Sequence, residues 1–185
     1  EVDIVVELIG GTDTAFDIVA AALKLKKPVV TGNKALLAER GKELFALSRE
    51  YDTPIHFEAA VAGGIPVIKA VQDSYVGNRI ETMSGIINGT SNYILERMTT
   101  AGLDYQTALT EAQDLGYAEA DPALDVNGWD AAHKAILLAT LAYGFTVPAE
   151  EVYVRGIERV RTIDIDFATK LGYAVKLLSV VREHA

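Results

Sequence analysis

The 185 residues carry a formal net charge of −9, with 50% hydrophobic and 23% charged positions, so the chain has apolar material for one large domain or parts of two. That acidic balance leaves no basic face for phosphate contacts and no polybasic anchor, so neither nucleic acid nor a membrane is expected as a partner. There is no cysteine, which removes disulfides, thiolate metal sites and cysteine nucleophiles and is compatible with a cytoplasmic location. The longest apolar run, residues 135–142, falls well short of the roughly 20 residues a membrane helix needs.

The chain opens Glu1-Val2-Asp3 without an initiator methionine and enters a strand at once, as expected of a piece cut from a longer chain. Ile4-Val5-Val6-Glu7-Leu8-Ile9 is apolar and β-branched enough for a strand buried on both faces of a parallel sheet, and Gly10-Gly11 stops it. Thr12 or Asp13 can cap a helix in which Phe16, Val19, Ala20 and Leu23 follow at helical spacing. Lys24, Lys26 and Lys27 sit at its C-terminal end, where cations are favoured, and Pro28 ends it. A strand at 29–31, a helix at about 34–51 and a strand at 54–57 complete a strand–helix–strand–helix–strand order. That order predicts the α/β class, as the C-terminal half of a doubly wound parallel sheet.

After Glu58 the texture changes, and a second, α+β domain is expected over 59–185, with 1–58 as the first. Ala59 to Gly64 is small and glycine-rich, and 65–71 reads as helical. Residues 79–88 alternate as a strand, and Gly89-Thr90-Ser91-Asn92 reads as a loop and cap before a helix to about 100. A helix at 105–115 is stopped by Gly116, a polar stretch runs over 117–128, and a long helix spans 129–143. A further helix is expected at 166–171, while 173–181 is open between strand and helix.

Glu119, Asp121, Asp125 and Asp130 lie within twelve positions, and Asp130 and Lys134 are spaced i, i+4 on one helix face. One reading is a surface ion pair worth a few tenths of a kcal/mol. The other starts from Ala135-Ile136-Leu137-Leu138-Ala139, apolar on nearly every side and therefore buried. A lysine at the mouth of such a helix is partly desolvated beside carboxylates, and a lysine held between those opposed influences can donate a proton.

The pattern Gly-Tyr-x-Glu-x-Asp-Pro-x-x-Asp-x-x-Gly-x-Asp-x-x-x-Lys over residues 116–134 resembles the signature region of the homoserine dehydrogenases. The resemblance implies a Rossmann-like NAD(P)-binding part followed by an incomplete catalytic domain, and interconversion of L-homoserine and L-aspartate 4-semialdehyde with NAD or NADP. It implies Lys134 as proton donor to the aldehyde oxygen, Glu119 and Asp130 as substrate-binding carboxylates, Asp125 as an acidic group near the substrate, and the Gly116 backbone as a cofactor contact. Phe57-Glu58-Ala59-Ala60-Val61-Ala62-Gly63-Gly64-Ile65-Pro66 is similar to the family's domain junction. There the resemblance implies a sodium ion held by carbonyls of Glu58, Val61, Gly63 and Ile65; an alternative is a loop that lets two backbones pack closely.

Asn33-Lys34 resembles the family's pair near cofactor and substrate, and a lysine starting a helix is otherwise unfavourable. Ile9 and Gly10 end the first strand at the same sheet edge, where their backbone could touch the cofactor. Ile87-Asn88-Gly89-Thr90-Ser91-Asn92-Tyr93-Ile94-Leu95 resembles a turn near the family's active site, though a capped strand–helix connection explains it equally well. The three histidines, His56, His133 and His184, are too dispersed for a transition-metal site. The resemblance also implies a homodimer and an upstream glycine-rich turn that grips the pyrophosphate. Without that turn, a non-catalytic fragment or binding module is the alternative, and a related amino-acid dehydrogenase a third reading.

Overall fold

Three short runs of β-branched residues build a parallel sheet in a computed structural model that describes residues 2–145 and 147–183. His184 lies outside the described residues. Strands β1 (Val5–Glu7), β2 (Val29–Thr31) and β3 (Ile55–His56) run in the order β1-β2-β3, in the register Val5–Val29–Ile55 and Val6–Val30–His56. Helices α1 (Asp13–Lys24) and α2 (Lys34–Glu50) connect them. Val29, Glu7 and Thr31 are buried beneath these helices with Leu23, Leu36 and Leu44. Full burial of each such leucine contributes about 1.5–3 kcal/mol. The opposite face behaves differently from the sequence expectation. Ile4 is 55% and Val6 62% exposed, so β1 is covered on one face only.

The chain divides into two compact units, the first from residues 1–82, 133–152 and 181–185, the second from 83–132 and 153–180. Beyond the sheet, the first unit holds a 3₁₀ turn at Glu58–Ala60 and a one-turn helix α3 (Val67–Lys69) that widens into a π turn at Ala70–Ser74. The helical segment expected at 65–71 thus starts later and runs on to Ser74, because Gly64 at φ +88° and Pro66 at ψ 57° delay its start. A two-stranded sheet pairs β4 (Thr82–Gly85) with β5 (Ser179–Arg182), which resolves the open segment 173–181 as loop followed by strand.

The second unit is a helical cluster. Helices α4 (Gly89–Ala101) and α5 (Tyr105–Asp114) pack through Ile94, Leu95, Met98, Ala108 and Ala112. The core also takes Val126 from the short helix α6 (Ala123–Val126), Ile157, and Ile165 from α8 (Thr162–Lys170). Helix α8 starts before the expected residue 166 because the Asp164 carboxyl accepts from the Arg161 backbone N–H. Helix α7 (Trp129–Tyr143) matches its expected span; its first turn belongs to the second unit and its remainder to the first. The expected burial holds along it, with Ile136, Leu137, Leu138 and Ala139 all buried.

Glu111 on α5 ties itself to α4. Its carboxyl accepts from the Tyr93 hydroxyl and from Arg97, at 2.7 Å from Nε and 3.2 Å from Nη2. The Tyr93 hydroxyl, then the Arg97 guanidinium, hold the carboxyl below the usual carboxylate range. A lowered folded value stabilises the fold above the unfolded value of about 4.3, and that contribution disappears as pH falls through the folded value. Thermal melts should therefore show a small Tm advantage of the parent over Glu111→Gln that is constant above about pH 5 and closes towards pH 3. A gap that widens on acidification contradicts this assignment.

Candidate functional site

The carboxyl edge of the parallel sheet is organised by a residue to which the sequence reading gave no role. Glu7 ends β1 and is only 1% exposed. A buried carboxyl group must find donors. One oxygen accepts from the Ile9 N–H at 2.9 Å, the other from the Thr31 hydroxyl at 2.6 Å. The Thr31 hydroxyl in turn accepts from the Asn33 N–H at 3.0 Å. Asn33 then caps α2, accepting from the Leu36 N–H at 3.1 Å, while its amide nitrogen donates to the Gly11 carbonyl at 2.7 Å. Ile9, Gly10, Asn33 and Lys34, all named from sequence, thus sit on a loop and a helix start that are tied to each other. Gly10 and Gly11 adopt φ +82° and +71° with open space where a side chain would point, so backbone is presented at this edge. Lys34 is half-buried at the first position of α2. The missed signal was a single carboxyl group inside an apolar strand.

In the second unit, Asn88 is the N-cap of α4 and is 4% exposed. The helix therefore begins at Gly89, not after the loop the sequence suggested. The Asn88 side-chain oxygen accepts from the Ser91 N–H at 2.7 Å. Its amide nitrogen donates to Asp125 at 2.7 Å and to Asp130 at 2.8 Å. The Ser91 hydroxyl adds a bond to the Asp125 carbonyl at 2.8 Å. Two of the sequence-named carboxyl groups are thus brought together, Asp130 buried to 4% exposure and Asp125 half-buried.

Glu119 is not part of that cluster; it is exposed, and its carbonyl accepts from the Gln113 side chain at 3.2 Å. Gly116 has a local reason to be glycine: at φ +77° it follows the last residues of α5, where its N–H reaches the Gln113 carbonyl at 3.0 Å and the Tyr117 N–H the Ala112 carbonyl at 2.8 Å. That bond pair is a helix-ending motif which needs a left-handed residue. Lys134 is half-buried on α7, one turn beyond Asp130.

The glycine-rich loop after β3 carries Glu58, Val61, Gly63 and Ile65 within eight positions. The Glu58 side chain accepts from the Ile68 and Lys69 N–H groups at 3.0 and 2.9 Å, capping α3, and so leaves its main-chain carbonyl as the group in question. Ala62 sits at φ +49° and Gly64 at +88°, which folds the loop back on itself. Val61 is buried, and Gly63 and Ile65 are exposed. Among the described residues no group of three or more His, Asp or Glu is arranged to hold a metal ion.

A family model described as homoserine dehydrogenase matches residues 66–184, and one described as the homoserine dehydrogenase NAD binding domain matches residues 1–58. The chain belongs to the homoserine dehydrogenase family. It is 50% identical to the Pseudomonas aeruginosa homoserine dehydrogenase, over 98% of this chain and 42% of that protein. It is 48% identical to the Neisseria gonorrhoeae homoserine dehydrogenase, over 99% of this chain and 42% of that one. The chain therefore spans about two fifths of the length of these family members. The solved Thiobacillus denitrificans homoserine dehydrogenase superposes with a TM-score of 0.97 at 48% identity, covering 100% of this chain and 43% of its own. A hyperthermophilic archaeal member, solved in complex with NADPH, superposes at 0.84 with 31% identity, over 98% of this chain and 53% of its own. Among the described residues no helix is long and apolar enough to cross a membrane.

One further residue escaped the sequence reading. A Cβ on Gly156 would lie 2.2 Å from the Val126 carbonyl oxygen and 2.5 Å from the Asn127 Cα. The Ile157 N–H bonds that same carbonyl at 2.8 Å, so two backbones cross here and hold the segment between Asp125 and Asp130. Gly156→Ala has to push backbone away and is expected to cost about 2–3 kcal/mol, read as a lowered denaturation midpoint. A variant with the parental midpoint would show that the crossing is slack.

Proposed function

We propose that the enzyme carrying this chain interconverts L-homoserine and L-aspartate 4-semialdehyde with NAD(P), in the synthesis of threonine, methionine and isoleucine. The observation that carries this reading is the run 116–134, with its carboxyl groups and lysine, in a chain matched along its length by homoserine dehydrogenase family models. Residues 1–58 form the NAD(P)-binding part and 59–185 the catalytic part. NAD(P), when bound, exchanges the hydride with the carbon that bears the reacting oxygen. Ile9, Gly10, Lys34 and the Gly116 backbone are the residues that would hold it. Two features support the fit: a doubly wound sheet takes ligands at its carboxyl edge, and the backbone at Gly10 is open.

Lys134 donates a proton to the aldehyde oxygen during reduction and recovers it during oxidation. Glu119 and Asp130 hold the substrate ammonium and orient the lysine, with Asp125 close by. The carbonyls of Glu58, Val61, Gly63 and Ile65 hold a sodium ion, a hard cation suited to oxygen ligands. The enzyme works as a cytoplasmic homodimer, a location with which the cysteine-free composition is compatible.

In the full-length enzyme, Lys134→Ala should lower kcat about 10²–10⁴-fold with little change in Tm or in the KM for NAD(P). Near-parental turnover removes Lys134 from its role. Replacing sodium by tetramethylammonium at constant ionic strength should lower Tm by several degrees, because a bound ion stabilises only the folded state. Equal melting in the two salts eliminates the cation.

A further inference from the structure

We propose that Asn88 is a positioning residue whose side-chain amide sets the separation and orientation of two carboxyl groups, that of Asp130, which receives the substrate ammonium, and that of Asp125 beside it. The inference rests on the functional reading above and names the group that prepares its substrate-binding carboxyls.

The chemistry leaves one orientation for this side chain. Its oxygen faces the Ser91 N–H, which can only donate, at 2.7 Å. Its nitrogen faces carboxyl oxygens of Asp125 and Asp130 at 2.7 and 2.8 Å. An amide has two N–H donors and one carbonyl acceptor, so all three partners are met at once and no other natural side chain of this length can do the same. With Asn88 only 4% exposed and Asp130 equally buried, water is a poor substitute for either bond.

The bridge governs the carboxyl groups and not the backbone beneath them. Asp125 keeps its main-chain bond to the Ser91 hydroxyl at 2.8 Å, and Asp130 stays in the first turn of α7. Deleting the two donors therefore removes the link between the two carboxyl groups while the chain around them remains held. The N-terminus of α4 attracts both carboxyls towards the same place. Without the amide that links them, their mutual repulsion favours a wider separation.

Two replacements separate positioning from capping in the full-length enzyme. Serine and aspartate are both good N-caps, so Asn88→Ser and Asn88→Asp keep the start of α4. Neither can donate to two carboxyl groups, and aspartate adds a third acid beside them. The expected result is an enzyme that still folds with a lowered Tm, a KM for homoserine raised about tenfold or more in Asn88→Ser and further in Asn88→Asp, and an unchanged KM for NAD(P). A residue needed only for folding gives the opposite split: parental KM values, with kcat per total protein falling alongside Tm. That split, or parental kinetics in both variants, overturns the proposal.

A crystal structure of the Asn88→Ser enzyme supplies a readout independent of turnover. Carboxyl groups of Asp125 and Asp130 rotated away from their present positions support the proposal even if the parent enzyme fails to oxidise homoserine, a failure that sinks only the functional reading. Carboxyl groups left in place overturn it.

Discussion

Asp130 is almost wholly removed from water, and a buried carboxyl group survives folding only where donors meet it. Asn88 provides the meeting point, because an amide carries two donors on one side and an acceptor on the other. The acceptor starts α4 and the donors gather Asp125 and Asp130. Around this bridge the second unit has little freedom. The Ser91 hydroxyl holds the Asp125 main chain, and the close crossing at Gly156 fixes the chain just beyond it. The core beneath, from Ile94 to Ile165, keeps α4 where its first turn can do this.

The sheet edge of the first unit uses the same device. Asn33 caps α2 through its oxygen and sends its nitrogen to the Gly11 carbonyl on another loop. Each asparagine thus converts the start of a helix, where backbone N–H groups are unsatisfied, into an anchor for a neighbouring segment. In the first unit the anchored partner is the Gly11 backbone, and in the second it is a pair of acids. Glu7 supports the first arrangement from below, since its two oxygens tie together the ends of β1 and β2.

Much of this was legible in order along the chain. The β-branched runs at Val5, Val29 and Ile55, separated by helices with leucines at helical spacing, specify a parallel sheet whatever the rest of the protein does. The long helix from Trp129 to Tyr143 was equally plain, because its apolar residues circle the axis. Less legible were elements whose ends depend on a distant partner or a strained turn. Strand β4 is shorter than its alternation suggests, and the helix after the glycine-rich loop winds late and unevenly. The one-sided exposure of β1 was also hidden, since an apolar run reads the same whether one face or two are covered.

The sequence alone determined the kinds of groups available: a glycine-ended strand, an asparagine–lysine pair, and a run of acids leading to one lysine on a buried helix. Those follow from residue identity and local spacing, which are fixed before the chain folds. Tertiary structure decided which of these groups meet. It joined Asn88 to acids 37 and 42 positions away, set Glu119 apart from them, and laid Gly156 against Val126. Such meetings depend on how separate helices pack and on where buried acceptors find donors, and spacing along a chain carries neither.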